Sequence, residues 1–374
     1  MEEEFLVVDP ATRSVVPCAE AVLARATPML GGRVSGEITK FQLETRTEPC
    51  LDVGQVLGEL AGARAELSAA AEAEGLRIIA SGTPVLGDVV PQPITEGPRQ
   101  ERGTAKFRGL HDELSLCAMH VHVEMPDRER AVLVSNHLRQ YLPTIIALAA
   151  NSPYWPEQDT GYASWRTITW TRWPVAGPPP YFTSAAHYDD LVATLTEAGS
   201  LVDSGTIFWD IRPSQRYPTL EVRAADVPVT ARESALLAAL IRALAADAAA
   251  RVDSGDPGPA LPAELLRVAY WRAARDGLNG HGVDVHTGRL VSAAELARRM
   301  LETARPVLAD YGELEQVTGW MRDLLGRGDG AARQRQAAAR RGRLADVVDY
   351  LIGQAAAGEQ LAGHSTAECD STAE

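Results

Sequence analysis

Four cysteines (Cys18, Cys50, Cys117 and Cys369) are all that 374 residues offer, at wide, irregular spacings and with no CxxC pair. Neither a disulfide framework nor a zinc knuckle is expected. Basic charge is short as well: 36 Lys and Arg against 50 Asp and Glu leave a net charge of -14. Nucleic acids and anionic membranes select stripes of Lys and Arg, so neither is an expected partner. No run approaches the roughly 20 apolar residues of a membrane span, and no basic segment precedes an apolar one at the amino terminus. A reducing, cytoplasmic setting is expected. There is no GxxxxGK[ST] and no Gly-rich phosphate loop behind a strand, which excludes a P-loop or Rossmann nucleotide site. No internal repeat is visible either.

What is present is a globular composition, 45% hydrophobic, long enough for one large core. A helix is expected around 57–75 (LGELAGARAELSAAAEAEG), closed by Gly75, and another over 128–150, kinked or split by Pro143. Residues 151–182 are rich in Pro and Gly and hold four of the seven tryptophans, which suits a functional loop. The tryptophans themselves are expected to pack within that loop, with a lid over a binding pocket as the competing reading. Strands return over 204–226, and from Thr230 the pattern is helical almost to the end. This order, without a βαβ rhythm, predicts an α+β fold with an antiparallel sheet. One catalytic domain is expected over 1–355, with a flexible tail at 356–374.

Chemistry concentrates on short strands. Alternation in CAMHVHVEM (117–125) puts His120, His122 and Glu124 on one face and Met119, Val121 and Val123 on the other. TLEVRA gives Glu221 and Arg223 a common face, and IFWDIRP does the same for Asp210 and Arg212. In EEEF, Glu2 and Glu4 share a face that excludes Glu3, and in KFQLETRTE so do Gln42, Glu44 and Arg46. For one strand, a polar face in water is the bland explanation. Several acidic faces in one sheet would repel unless cations sat among them. Carboxylates with one or two histidines favour Mg²⁺ or Mn²⁺ over zinc, and interleaved arginines point to an anion held against the metal, as phosphoryl transfer requires. RQRQAAARRGR (333–343) is expected to be the exposed face of a carboxy-terminal helix.

These pieces, in this order, resemble the carboxylate–amine ligases related to glutamate–cysteine ligase, type 2. The matching segments are EEEF, Glu37 with Glu44, MHVHV, NSPYW with DTGYASWR, WDIRP, PTLEVR and YWRAARDGLNG, spread over roughly residues 1–350. The resemblance implies a glutamine-synthetase/guanidino-kinase-like fold whose concave sheet face carries ATP and two or three Mg²⁺ ions, with helices on the other face. It implies an ATP-dependent ligase that forms an amide through an acyl phosphate, from a small-molecule carboxylate, L-glutamate by default, and an amine left open. Position by position it implies Glu2, Glu4, Glu37, Glu44, His120 and Glu221 as metal ligands and Arg223 and Glu44 as catalytic. Arg223, His122 and Arg275 would bind the nucleotide, with His120 rather than His122 facing metal. Arg166, Tyr162 and Arg212 would meet substrate. For Arg166 the competing role is bracing a loop through backbone carbonyls; for Arg212, pairing with Asp210; for Arg275, a solvated helix surface. The family pattern places a glycine and an apolar residue ahead of the first glutamate, so Glu2 is expected to be poorly anchored beside the amino group unless a little more strand precedes it. A homodimer suits such sheets. A metal-dependent hydrolase and a decayed nucleotide binder are the rival readings.

Overall fold

The computed structural model describes residues 1–356. Of the expected tail, 357–374 lie outside those residues.

Eleven strands occur among the described residues: β1 (Glu2–Val8), β2 (Val34–Gly36), β3 (Gln42–Arg46), β4 (Arg77–Ile79), β5 (Ala118–Glu124), β6 (Ala176–Gly177), β7 (Phe208–Trp209), β8 (Ile211–Pro213), β9 (Thr219–Asp226), β10 (His281–Val283) and β11 (Leu290–Ser292). Seven of them make one antiparallel sheet in the order β2-β3-β1-β5-β9-β8, with β4 on the far half of β1. β1 explains its own composition. Its acidic first half borders the cleft described below, and its second half, Phe5–Val8, is covered on both sides and apolar throughout. The register sets Glu4 opposite Glu44, Glu2 opposite Arg46 and His120, and Glu221 opposite both His122 and Arg212. A register shift between Met119 and Val121 bends β5 against β9 next to His120.

The opposite face is the core. Met119, Val121, Val222 and Ala224 pack with the helix Ala231–Asp253 and with Val53 and Leu60 of the helix Val53–Ala73. The latter starts four residues earlier than its periodicity suggests, because Asp52 caps it by accepting from the Gln55 amide at 2.8 Å. The 128–150 segment is split, into Arg128–Leu138 and Leu142–Ala149 around a short 3₁₀ turn. Pro143 sits in the first turn of the second helix, where its missing N–H costs nothing. In 151–182, Trp170 and Trp173 pack with Leu114, Leu116 and Phe208, and β6 pairs in parallel with β7.

Two expectations fail here. The helical run after Thr230 is interrupted by the β10–β11 hairpin, whose three-residue strands are too short to show an alternation signal. The 333–343 segment is not simply an exposed basic face: Arg333 is buried and donates to Glu233 at 2.9 Å, and Gln334, fully buried, donates to Asn151. The partner that neutralises Arg333 lies 100 residues away, beyond any local pattern. Among the described residues no helix is long and apolar enough to cross a membrane.

Candidate active site

The polar sheet face floors a cleft of about 360 Å³ lined by Glu2, Glu4, Glu37, Glu44, His120, His122, Arg166, Arg212, Glu221 and Arg223, among others. Strand alternation delivers most of these groups to one side. Glu37 comes instead from the turn after β2, where its carbonyl accepts from Thr95 Oγ1 at 2.7 Å. Glu3, between two cleft residues, points the other way. It is fully buried, takes hydrogen bonds from Arg64 at 2.6 and 2.9 Å, and accepts from Ser234 at 2.5 Å.

Three sets of ligand atoms converge, each within 4.8 Å: Glu2 with His122 and Glu221, Glu2 with Glu44 and His120, and Glu4 with Glu37 and Glu44. The histidine rings are each held through one nitrogen. His120 uses Nδ1 on Glu2 at 2.8 Å and His122 uses Nδ1 on Thr219 Oγ1 at 2.9 Å, while both Nε2 atoms are buried without a hydrogen-bond partner among the described residues. Holding one ring nitrogen and leaving the other free is how proteins orient a ligating imidazole. The donor set, mostly carboxylate oxygen with two imidazoles, fits hard divalent cations.

Electrostatics divides the cleft. Burial alone would raise Glu2, but the imidazoles of His120 and His122 outweigh it and hold the carboxyl well below the usual range. Glu221 is likewise buried yet lowered, because Arg223 and Arg212 flank it; Arg212 Nε lies 3.0 Å from it and Arg223 bonds it directly. Glu4 is pushed up to about 8 by burial and the charge of Glu44, and Glu37 to about 7 by burial and Glu4. Glu44 is raised well above the ordinary value by burial, Glu37 and Glu2, although Arg46 bonds it. His120 falls to about 4 through burial and the Arg223 charge, which favours the neutral ring that a metal ion would need.

Not every sequence-predicted residue reaches the cleft. Arg275 donates to Asp276 at 2.7 Å and lies 4.7 Å over the Trp271 ring, and Tyr162 accepts from Trp271 Nε1 at 3.2 Å. Neither lines the cleft. Asp210 and Arg212 do not pair: the chain breaks strand geometry at Asp210, between β7 and β8, and Arg212 turns to Glu221. Asp210 is buried elsewhere, its carbonyl accepting from the Arg223 amide at 2.7 Å. His122 stands in a ligand set as His120 does, so the preference for His120 alone is not reproduced. Nor is Glu2 poorly anchored, since His120 and Arg46 hold it, and the Met1 amino group is taken by Thr47 Oγ1 at 2.9 Å. Arg166 braces: it donates to the Arg223 carbonyl at 3.1 Å, lies 3.7 Å from Asp226, and still lines the cleft.

Sequence reasoning overlooked Arg99, Phe208, Arg216 and Tyr217, all in the cleft wall. Arg46 was readable, since alternation puts it on the Glu44 face. Phe208 comes from a two-residue strand and Arg216 and Tyr217 from a loop, too short for a periodic signal, while Arg99 sits on the helix Pro98–Phe107.

An antiparallel sheet with an acidic, histidine-bearing face and arginines among the acids is the catalytic architecture of ATP-dependent carboxylate–amine ligases. Fold comparison finds the same architecture in solved structures. The chain superposes on the glutamate–cysteine ligase of Francisella tularensis, solved with AMP, with TM-score 0.66 at 11% identity, over 95% of this chain and 88% of that one. It matches a bifunctional glutathione synthetase of Pasteurella multocida with TM-score 0.68 at 14% identity, over 95% of this chain and 52% of that one. Residues 1–350 match the profile of glutamate–cysteine ligase family 2, and the chain belongs to that family. A protein of Nocardia farcinica, provisionally named glutamate–cysteine ligase 2-1, is 45% identical over 89% of this chain and 87% of its own length. A provisionally named glutamate–cysteine ligase 2-3 of Mycolicibacterium smegmatis is 42% identical over 94% of this chain and 96% of its own.

Proposed function

We propose that the protein joins L-glutamate, through its side-chain carboxylate, to an amine, by way of an acyl phosphate made from ATP. The observation that carries the reading is the unbalanced group Glu4, Glu37 and Glu44 beside two histidines whose buried Nε2 atoms have no hydrogen-bond partner among the described residues, with an arginine, Arg223, in the same cleft. Glu2, His122 and Glu221, Glu2, Glu44 and His120, and Glu4, Glu37 and Glu44 would hold two or three Mg²⁺ ions, or Mn²⁺ in their place. Such cations, when bound, neutralise phosphate oxygens and lower the barrier to phosphoryl transfer.

The chain's own groups do the rest. A substrate carboxylate oxygen attacks the γ-phosphorus, and the bond to ADP breaks. Arg223, fixed through Glu221 and through its amide on Asp210, is placed to take up charge on the transferred phosphoryl group. The amine then attacks the acyl carbon, phosphate departs with the C–O bond pair, and the amine proton passes to solvent. Arg166 holds the floor under Arg223 and presents its remaining edge to the substrate carboxylate. Glu44 belongs to two of the three ligand sets, so its loss disables both. Residues 1–355 act as one catalytic unit, since every ligand but Glu37 comes from one sheet, Glu37 from the turn after its strand β2, and the later helices pack on its back. A reducing cytoplasm suits Cys18, Cys50 and Cys117, which are unbridged.

The test is a phosphate-release screen of amines with ATP, Mg²⁺ and L-glutamate, followed by mass detection of the amide. ADP and phosphate should appear in step with an amine. Release that needs no amine, with hydrolysed products, would identify a metal-dependent hydrolase instead.

A further inference from the structure

The cleft changes character along its strands. Leu116, Ala118, His120 and His122 all line it, and at about 3.3 Å per residue the first and last are up to about 20 Å apart. Beyond His122 the wall is cationic and aromatic. Tyr217 meets His122 edge-on with ring centroids 5.8 Å apart, Arg216 lies 5.3 Å over the Tyr217 ring, and Arg212 is adjacent on β8. Beyond Ala118 the wall is mostly apolar, with the Arg166 guanidinium 5.9 Å over the Trp170 ring at its edge. Leu114, Leu116, Trp170 and Phe208 belong to one buried cluster with Ile38 packed on its edge, and all five border the cleft. The Trp170 and Phe208 rings are 4.7 Å apart. The one polar atom that Trp170 offers, Nε1, is buried without an acceptor among the described residues.

Three reactants must meet at the acidic belt between these ends. ATP brings a polyphosphate, which matches the Arg212, Arg216 and Arg223 end. L-glutamate carries an ammonium and a carboxylate on its non-reacting end, and both would lose their solvent partners against an apolar wall. Two remainders could match that wall, the adenine base of ATP and the body of the amine, and with the polyphosphate drawn to the arginine end the amine is the better fit. Resting on the ligase reading above, we propose that Ile38, Leu114, Leu116, Trp170 and Phe208 form the acceptor pocket. The amine they select is a primary amine with an uncharged aromatic or branched aliphatic body, and Trp170 and Phe208 determine the specificity.

The experiment compares phenethylamine and isobutylamine with β-alanine and putrescine as acceptors, using ATP, Mg²⁺ and L-glutamate. A well-fitted apolar pocket discriminates by about tenfold or more, so kcat/KM for the uncharged pair should lead by at least that factor. Trp170→Ala should raise the KM for phenethylamine about tenfold while the KM for ATP stays within about twofold. Leu114→Glu should shift preference toward putrescine. Calorimetric titration of phenethylamine and of a non-hydrolysable ATP analogue into wild type and Trp170→Ala gives a readout free of turnover. Unchanged analogue binding certifies the fold, and weakened amine binding supports the pocket. Equal use of charged and uncharged amines would overturn the proposal. So would a Trp170→Ala defect that falls on the ATP analogue, which would put the nucleotide base on this wall. If no amine of any kind raises phosphate release, the ligase reading itself fails, and the amine titration still decides whether the wall binds an apolar body.

Discussion

In the histidine-bearing half of the cleft, Glu2 and Glu221 are served by what the chain provides: a hydrogen bond to the His120 ring at 2.8 Å with Arg46 at 3.5 Å for one, Arg212 and Arg223 for the other. A few ångströms away, Glu4, Glu37 and Glu44 chiefly face one another, with Arg46 the one close cation on Glu44. The first group stays ionised without help, and the second is pushed toward or above neutrality. Glu3 supplies a third case on the same tripeptide, since it is buried deeper than either neighbour yet carries its own arginine. A buried acid that exists for the fold comes with its counter-charge built in. A buried acid cluster without one is left for a cation from outside.

The contrast breaks most severely at Arg223. Arg223→Ala leaves Glu221 its Arg212 partner, so the fold should stand while kcat falls by on the order of 10³-fold, as for other arginines that stabilise a transferred phosphoryl group. Steady-state kinetics with a melting curve checks both halves of that statement. Next in size is the split within EEE. Glu3→Gln strands a buried Arg64 and should cost about 3–5 kcal/mol in chemical denaturation. Glu4→Gln removes a repelling charge and should stabilise the metal-free protein by about 1 kcal/mol or more, while abolishing turnover.

A third test uses pH. Glu4 and Glu37 titrate at about 8 and about 7 in the fold against 4.5 ordinarily. The folded state therefore binds more protons than the unfolded one between pH 4.5 and 8, and its stability falls as pH rises through that window. Glu2 and Glu221 are lowered, so their contribution is present above 4.5 and lost as pH falls below it. The chelated protein should thus melt highest near pH 5 and lower at pH 8, and Mg²⁺ should raise the midpoint more at pH 8 than at pH 5. A flat profile would mean that the second group is balanced after all. The smallest effects belong outside the cleft, where Arg275→Ala and Tyr162→Phe should each change kcat/KM by less than about twofold, as surface substitutions do.

Much of this was legible in the sequence, because a strand of period two writes its two faces in alternate letters. Glu2 and Glu4, Gln42 to Arg46, His120 and His122, and Glu221 and Arg223 all followed from that rule, and Glu3 was excluded by it. Glu37 was not readable this way, since it reaches the cleft from a turn and was indicated by resemblance alone. The Asp210–Arg212 pairing failed where the strand breaks, and alternation says nothing across a break. Arg275 and Tyr162 were indicated by resemblance alone, and the fold holds them in an outer aromatic cluster around Trp271, away from the cleft lining. The apolar wall was invisible, because Leu114, Trp170 and Phe208 come from three separate segments that only the tertiary fold unites.

The central claim is phosphoryl transfer to a carboxylate, and positional oxygen labelling tests it most directly. With L-glutamate carrying ¹⁸O in its side-chain carboxylate, each turnover with ATP, Mg²⁺ and an amine should deliver one ¹⁸O to inorganic phosphate. Phosphate free of label would contradict an acyl phosphate, and label appearing in AMP would show that the carboxylate attacks a different phosphorus.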